Sequence, residues 1–339
     1  MLQPILKIQH LRKLFPVKAN RLLSGAGQFV HAVDDVSFTL QKAEILAVVG
    51  ESGCGKSTLA LTLIGLEKPT AGSIQFKGQE IAELNHREWK AIRRQMQMIF
   101  QDPYESLNPL MSVGELVAEP LQVHGIAATR AERLQRVITA LEDAGLKPAE
   151  SFINRHPHEL SGGQRQRVAI AAALVLEPTI LLADEPVSML DVSIRAEILN
   201  LLSDLRSKRG ISILFITHDL STVATFADRI AVMYLGRIVE MGAVKDVLVN
   251  PQHPYTRALL SVVPVPNPRL RRERVILQGE TPNPINLPEG CRFHPRCPLA
   301  QEICKSAEPL LEAAGDEHWV ACVLNSKKQT TTTGHSREA

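Results

Sequence analysis

Ile45-Leu46-Ala47-Val48-Val49-Gly50-Glu51-Ser52-Gly53-Cys54-Gly55-Lys56-Ser57-Thr58 is the stretch on which the reading of this chain turns. The first five residues are continuously apolar, as expected of a strand buried on both faces of a sheet. Gly50 to Ser57 then fit G-x4-G-K-[ST], and Leu59 to Leu66 read as an apolar helix. Strand, glycine loop and helix in that order form an anion cradle. The glycines let backbone N–H groups curl around phosphate oxygens, and the helix start adds its positive dipole end. Lys56 is placed to reach the β- and γ-phosphates, and the Ser57 hydroxyl to ligate Mg²⁺. Cys54 reads as a small side chain within a loop that binds through its backbone.

Working outward, His31 to Leu40 alternates as a strand, and Gly72 to Gly78 reads as a short strand between turns. Val113 to Val123 and Thr129 to Ala144 carry helical periodicity, with Pro120 expected to kink or break the first. Ile180 to Ala183 and Ile213 to Ile216 flank a helical stretch from Ser193 to Lys208, the rhythm of a mainly parallel sheet. The strand at Ile180 ends in Asp184-Glu185. At about 130 residues beyond a phosphate loop, Asp184 fits a role on Mg²⁺ and Glu185 that of general base toward an attacking water. Leu160-Ser161-Gly162-Gly163-Gln164 opens a further helix from Arg165 to Leu176, with Ser161 as N-cap and two glycines exposing N–H groups. One nucleotide's phosphates need one cradle, so this second anion site is assigned to a nucleotide held by another subunit.

The rest of the composition sets limits. At 339 residues, 45% hydrophobic and 22% charged, the chain is an ordinary globular protein of about two domains. Its formal net charge of +2 gives no field suited to nucleic acid. No apolar run reaches the ~18 residues of a membrane span, and no secretory signal is visible, so a cytoplasmic location is expected. Four of the five cysteines, Cys291, Cys297, Cys304 and Cys322, fall near the C-terminus. In a reducing compartment this suggests a metal site more than disulfides. From Pro251 the chain becomes proline-rich, with a basic run at Arg269, Arg271, Arg272 and Arg274 read as a solvated linker face. The division is therefore 1–250, including a helical subdomain at about 105–177, then a 251–325 extension, then a disordered tail at 326–339.

Together these segments resemble the ATPase subunit of an ATP-binding-cassette transporter over about residues 5–262. Further matching stretches are Ile99-Phe100-Gln101-Asp102, Ser188-Met189-Leu190-Asp191 and Ile216-Thr217-His218-Asp219. The resemblance implies an α/β P-loop ATPase core with a mainly parallel sheet, an antiparallel β subdomain, a helical subdomain and a small Cys-containing C-terminal extension. It implies a head-to-tail dimer with ATP sandwiched between one subunit's Gly50–Thr58 and the other's Ser161–Gln164. Gln101 would then contact Mg²⁺ or the attacking water, His218 the γ-phosphate, and Asp191 would lie in the loop crossing the interface. Phe15 would stack on adenine. Met189, Ala172 and Val187 depart from the family pattern without removing a catalytic group.

Asn250-Pro251-Gln252-His253-Pro254-Tyr255-Thr256-Arg257, Gln101-Asp102-Pro103-Tyr104-Glu105 and Cys291-Arg292-Phe293-His294-Pro295-Arg296-Cys297-Pro298 are similar to the oligopeptide and dipeptide importer branch, as is the loop Pro16–Gln28. That branch implies two transmembrane permease subunits, a second, often non-identical sister ATPase and an extracytoplasmic binding protein, with this chain peripheral on the cytoplasmic face of the inner membrane. Nickel and other small solutes use the same branch, and Leu110 stands where peptide-importer relatives often have Arg. A soluble cassette ATPase acting on ribosomes or DNA is the competing class. Such a protein usually carries two cassettes or a long coiled-coil insert, whereas here only about 100 residues separate loop and signature, without sustained heptads. For the four late cysteines the expectation is a [4Fe–4S] cluster, with Zn²⁺ and free thiols as alternatives. A thin, proline-rich core gives reason for a metal staple.

Overall fold

The computed structural model describes residues 3–17, 28–263 and 274–325. The proposed disordered tail, Arg269, Arg271 and Arg272, and all but the ends of the Pro16–Gln28 loop lie outside them.

Two sheets form the body. The first is antiparallel and holds β1 (Leu6–Pro16), β2 (Phe29–Leu40), β4 (Ala71–Phe76) and β5 (Gln79–Glu80) in the order β2-β1-β4-β5. The second contains β3 (Ile45–Val49), β6 (Met96–Ile99), β7 (Ile180–Asp184), β8 (Ser212–Thr217), β9 (Arg229–Tyr234), β10 (Arg237–Ala243), β11 (Glu312–Gly315) and β12 (His318–Val320). Its order is β11-β12-β10-β9-β3-β8-β7-β6. The run β9-β3-β8-β7-β6 is parallel, and β10, β12 and β11 continue it antiparallel.

Every residue of β3, β7 and β8 is buried, which accounts for apolar runs without alternation: both faces are covered. Leu46, Val48, Leu182, Leu214 and Ile216 face the antiparallel sheet and the helix α1 (Lys56–Leu63). Ile45, Leu181, Ala183, Ile213 and Phe215 face the helical side. Ala47, Val49, Ile230 and Val232 meet Tyr255 and Phe293 of the extension.

In chain order, α2 (His86–Gln95) precedes β6 and α3 (Pro103–Ser106) follows it. The helical part follows as α4 (Val113–His124), α5 (Arg130–Asp143), α6 (Glu150–Ile153) and α7 (Gly162–Leu174). Pro120 does not break α4. The helix runs through it, held by the Ser112–Glu115 capping box and by burial of Val113, Leu116, Val117 and Leu121. Then come α8 (Val192–Arg209), α9 (Leu220–Phe226), α10 (Val244–Val249) and α11 (Pro254–Ser261).

The extension is not an appended lobe. Glu240 on β10 is fully buried. It accepts hydrogen bonds from the backbone N–H groups of Gln252 at 2.6 Å and His253 at 3.0 Å, and its Oε1 lies 2.7 Å from His318 Nε2. Tyr234, Tyr255, Phe293 and His253 stack into one aromatic cluster with ring centroids 4.7–5.6 Å apart.

The four late cysteines lie near one another. Burial, reinforced by the charges of Cys322, Cys304 and Cys297, pushes the Cys291 thiol up to about 11. Cys291 N–H donates to Cys304 O at 2.9 Å. Yet among the described residues no group of three or more His, Cys, Asp or Glu side chains is arranged to hold a metal. The structure thus lends the iron–sulfur expectation no support of its own. The aromatic cluster, Glu240 and the β10–β12 pairing give the extension an apolar and hydrogen-bonded core of its own.

Candidate functional site

The end of β3 delivers the chain into Gly50–Ser57. Gly55 has φ 106°, and a Cβ there would lie 1.9 Å from Ala32 O. At Gly50 a Cβ would meet Met233 O at 2.1 Å. Backbone passes too close at both points for any side chain. Lys56 is 5% exposed and lies along the loop, its Nζ donating to Gly50 O at 2.8 Å and Glu51 O at 2.9 Å. Cys54 is buried, and burial raises its thiol above the ordinary range against the opposing pull of Lys56. A small buried side chain here is in keeping with a loop that works through its backbone. Thr58 sits in α1, where its carbonyl accepts from Thr62 Oγ1 at 2.7 Å.

At the end of β7, Asp184 is 5% exposed. Burial raises its carboxyl above the usual carboxylate range, with Glu185 adding to the effect, while a hydrogen bond from Ser57 and the charge of Lys56 oppose it. Asp184 Oδ1 is buried without a hydrogen-bond partner. An orphaned acceptor next to a serine hydroxyl fits a hard divalent cation such as Mg²⁺. Glu185 follows at φ 45°, a left-handed conformation costing a non-glycine residue about 1–3 kcal/mol. Its N–H donates to Ile216 O at 2.9 Å. The turn aims its carboxylate at two partners: Gln101 Nε2 at 3.4 Å and His218 Nδ1 at 3.1 Å. Three residues from three strand ends, β6, β7 and β8, thus meet at one carboxylate.

Ser161 caps α7. Its hydroxyl accepts from Gln164 N at 3.3 Å, and Gln164 Oε1 accepts from Ser161 N at 3.0 Å. Gly163 packs on α8, where a Cβ would meet Ile194 Cγ2 at 2.5 Å, whereas at Gly162 a Cβ would make only an ordinary contact with Leu190 Cδ2 at 3.8 Å. Among the described residues no hydrogen bond or ion pair joins Ser161–Gln164 to Gly50–Thr58. Asp191 caps α8, accepting from Ile194 N at 3.1 Å. Phe15 is half-buried on β1 with Lys13 Nζ 4.6 Å from its ring centroid.

One connection was invisible in the sequence. Glu51, inside the phosphate loop, turns its carboxylate away from the loop to Arg296 of the extension, with N–H···O distances of 2.7 and 3.1 Å. Burial raises the Glu51 carboxyl, but hydrogen bonds from Arg296 and Thr281 and the charges of Arg296 and Lys56 outweigh it and leave it below its ordinary value. The Cys291–Pro298 stretch carried Arg296 only as a mark of resemblance, with no pattern tying it to residue 51.

Residues 33–188 match the family described as ABC transporter, and residues 239–304 match the oligopeptide/dipeptide transporter, C-terminal region. The oligopeptide transport ATP-binding protein AppF of Bacillus subtilis is 48% identical over 96% of this chain and 98% of its own length. The dipeptide transport ATP-binding protein DppF of Haemophilus influenzae is 49% identical over 94% of this chain and 96% of its own. Among solved structures, the dimeric post-hydrolysis state of the ATP-binding cassette MJ0796 with ADP and Pi is 31% identical with a TM-score of 0.62, covering 70% of this chain and 98% of that one. CbiO1 from Clostridium perfringens, part of the ABC transporter complex cbiONQ, is 31% identical with a TM-score of 0.63 over 74% of this chain and 92% of that one. With a phosphate loop, an orphaned acidic strand end and a polar cluster on Glu185 in one fold, the chain belongs to the ATP-binding-cassette transporter family, in its oligopeptide and dipeptide branch.

Proposed function

We propose that this ATPase energises import of di- or oligopeptides by binding ATP between two head-to-tail subunits and hydrolysing it at Glu185. The observation that carries the reading is the convergence of Gln101 and His218 on the Glu185 carboxylate beside the buried acceptor of Asp184. Gly53, Cys54, Gly55, Lys56, Ser57 and Thr58 cradle the phosphates, with Gly50 and Ser52 completing the loop and Glu51 fixing its start. Ser57 and Asp184, with Gln101, are the residues to hold Mg²⁺, which when bound neutralises phosphate charge. Glu185 accepts the proton of the attacking water as its oxygen bonds to the γ-phosphorus, and the bond to the ADP oxygen breaks. Gln101 orients that water, and His218 donates to the γ-phosphate. Ser161, Gly162, Gly163 and Gln164 serve the partner's nucleotide. Phe15 offers a flat face to adenine once Lys13 shifts.

Exposed apolar side chains support the contacts this requires. Tyr104 and Leu110, 61% and 85% exposed beside Gln101, suit a permease surface. Met189 and Val192, 58% and 80% exposed around Asp191, suit a second ATPase, whether identical or a sister. Among the described residues no helix is long and apolar enough to cross a membrane. The chain then sits peripherally on the cytoplasmic face, held by two permease subunits that receive peptide from an external binding protein. The names of the relatives favour peptide over nickel and over a ribosome or DNA target. The test is Glu185→Gln: ATP binding stays intact and a closed dimer accumulates, while turnover falls by about 10²-fold or more. Unchanged turnover refutes the base assignment.

A further inference from the structure

We propose that Arg296 is a positioning residue for the phosphate loop and acts on it through Glu51. This rests on reading Gly50–Thr58 as the ATP cradle. Three separate parts of the extension meet at Glu51. Its backbone N–H donates to Tyr255 Oη at 2.9 Å, from α11. Its carboxylate accepts from Thr281 Oγ1 at 2.8 Å and from two guanidinium nitrogens of Arg296 at 2.7 and 3.1 Å. Its remaining group, the backbone carbonyl, accepts from Lys56 Nζ at 2.9 Å. Glu51 is thus the node between the phosphate-reading lysine and residues more than 200 positions away in sequence.

The geometry fixes orientation as well as distance. A two-pronged guanidinium–carboxylate contact is planar and directional, which a lysine cannot reproduce. Arg296 is itself held in place, with a side chain 9% exposed and lying 5.9 Å over the Tyr234 ring. Tyr234 in turn packs on Tyr255 and Phe293. Farther along, the loop is held through its backbone, by Gly236 N–H donating to Cys54 O at 2.9 Å, while a Cβ on Gly53 would touch nothing within 4 Å. Freed from Arg296, the Glu51 side chain can turn, and the orientation of the carbonyl that seats Lys56 is left to the Tyr255 bond on the Glu51 N–H and the Cys54 N–H contact at 3.3 Å. Ground state and transition state lose the same cradle contacts, so the loss falls on KM for ATP and spares kcat.

The test is ATP turnover by the full chain assembled with its permeases, together with ATP titration of the same chain. Arg296→Met raises KM about tenfold, as loss of a charge-assisted hydrogen-bonded pair implies, with kcat within about twofold. Arg296→Lys recovers part of the loss. Glu51→Gln combined with Arg296→Met is no worse than the weaker single variant, because both break one contact. Multiplying effects, or a fall in kcat with KM unchanged, overturn the proposal. Where Arg296→Met does not yield folded protein, Thr281→Val removes one donor from the same carboxylate and raises KM by a smaller factor; an unchanged KM overturns it equally. Lys56→Ala separates the two readings. Wild-type chain that binds no ATP, or Lys56→Ala that binds it as well as wild type, refutes the ATP cradle and this inference with it. Normal wild-type binding with an unmoved Arg296→Met refutes Arg296 alone.

Discussion

Replacing Glu240 by Ala strips three partners at once. The N–H groups of Gln252 and His253 and the ring of His318 all converge on a carboxylate with no exposed surface. Each buried donor left unpaired costs about 1–3 kcal/mol. With the histidine at the low end, because its ring can turn, the sum is about 3–7 kcal/mol. An unfolding entropy of about 2.1 cal/mol/K per residue over 339 residues converts that to a melting temperature lower by about 4–10 °C. Calorimetry reads the shift. Trp319, which lies on β12 beside His318, reads where it originates: in a Trp89→Phe background its emission should move to the red before the main transition. Amide exchange at residues 252 and 253 should quicken as well. Glu240→Gln keeps one acceptor and should lose about half as much. A melting temperature within 1 °C of wild type, with exchange at 252 and 253 unchanged, would refute the claim that one carboxylate fastens the extension to the sheet; ~1 °C corresponds to less than a single hydrogen bond.

Three further outcomes follow from the geometry. Burial pushes the His253 imidazole down to about 4 from 6.5, against the opposing Glu240 charge and an Ala321 backbone hydrogen bond. Between those values the unfolded chain holds a proton that the folded chain does not, so stability falls as pH drops through the window, by about 3 kcal/mol in all; urea midpoints from pH 7 to 4 should show this slope, and His253→Asn, which keeps an acceptor for Tyr255 N, should flatten it. Gly55→Ala places a methyl 1.9 Å from Ala32 O at φ 106° and should weaken ATP binding about tenfold or more; a dissociation constant within threefold of wild type, by titration calorimetry, counts against the close-packed loop. Asp184→Asn should leave ATP binding and lower Mg²⁺ affinity on the order of tenfold or more; in wild type, burial and Glu185 raise the carboxyl, so proton competition with Mg²⁺ should set in above the usual aspartate range, and a pH-independent Mg²⁺ requirement down to pH 5 would oppose this.

What the chain disclosed before folding follows the range of its interactions. The parallel core was legible because β3, β7 and β8 are buried on both faces and carry the composition of that environment. The helix starting at Gly162 was legible because Ser161 and Gln164 form a cap within four residues. By the same rule α2 should have been seen: Asn85 and Glu88 form a capping box ahead of buried Trp89 and Ile92. β11 and β12 left no such signal. They are four and three residues long, and their strand character comes from pairing with β10. The polar triad at Glu185 was legible as separate motifs, but its distances depend on three parallel strand ends lying side by side. The Arg296–Glu51 contact spans 245 positions and had no local trace.

The antiparallel pairing of β12 with β10 bears on where this chain can be divided. A cut after Asn250, where the composition changes, would strip β10 of its neighbour and leave a row of unpaired backbone groups open to self-association. The same cut would remove every donor that Glu240 serves. An exchange of extensions between related ATPases must therefore carry over His318, the turn at 252–253 and the β10 edge as one matched set.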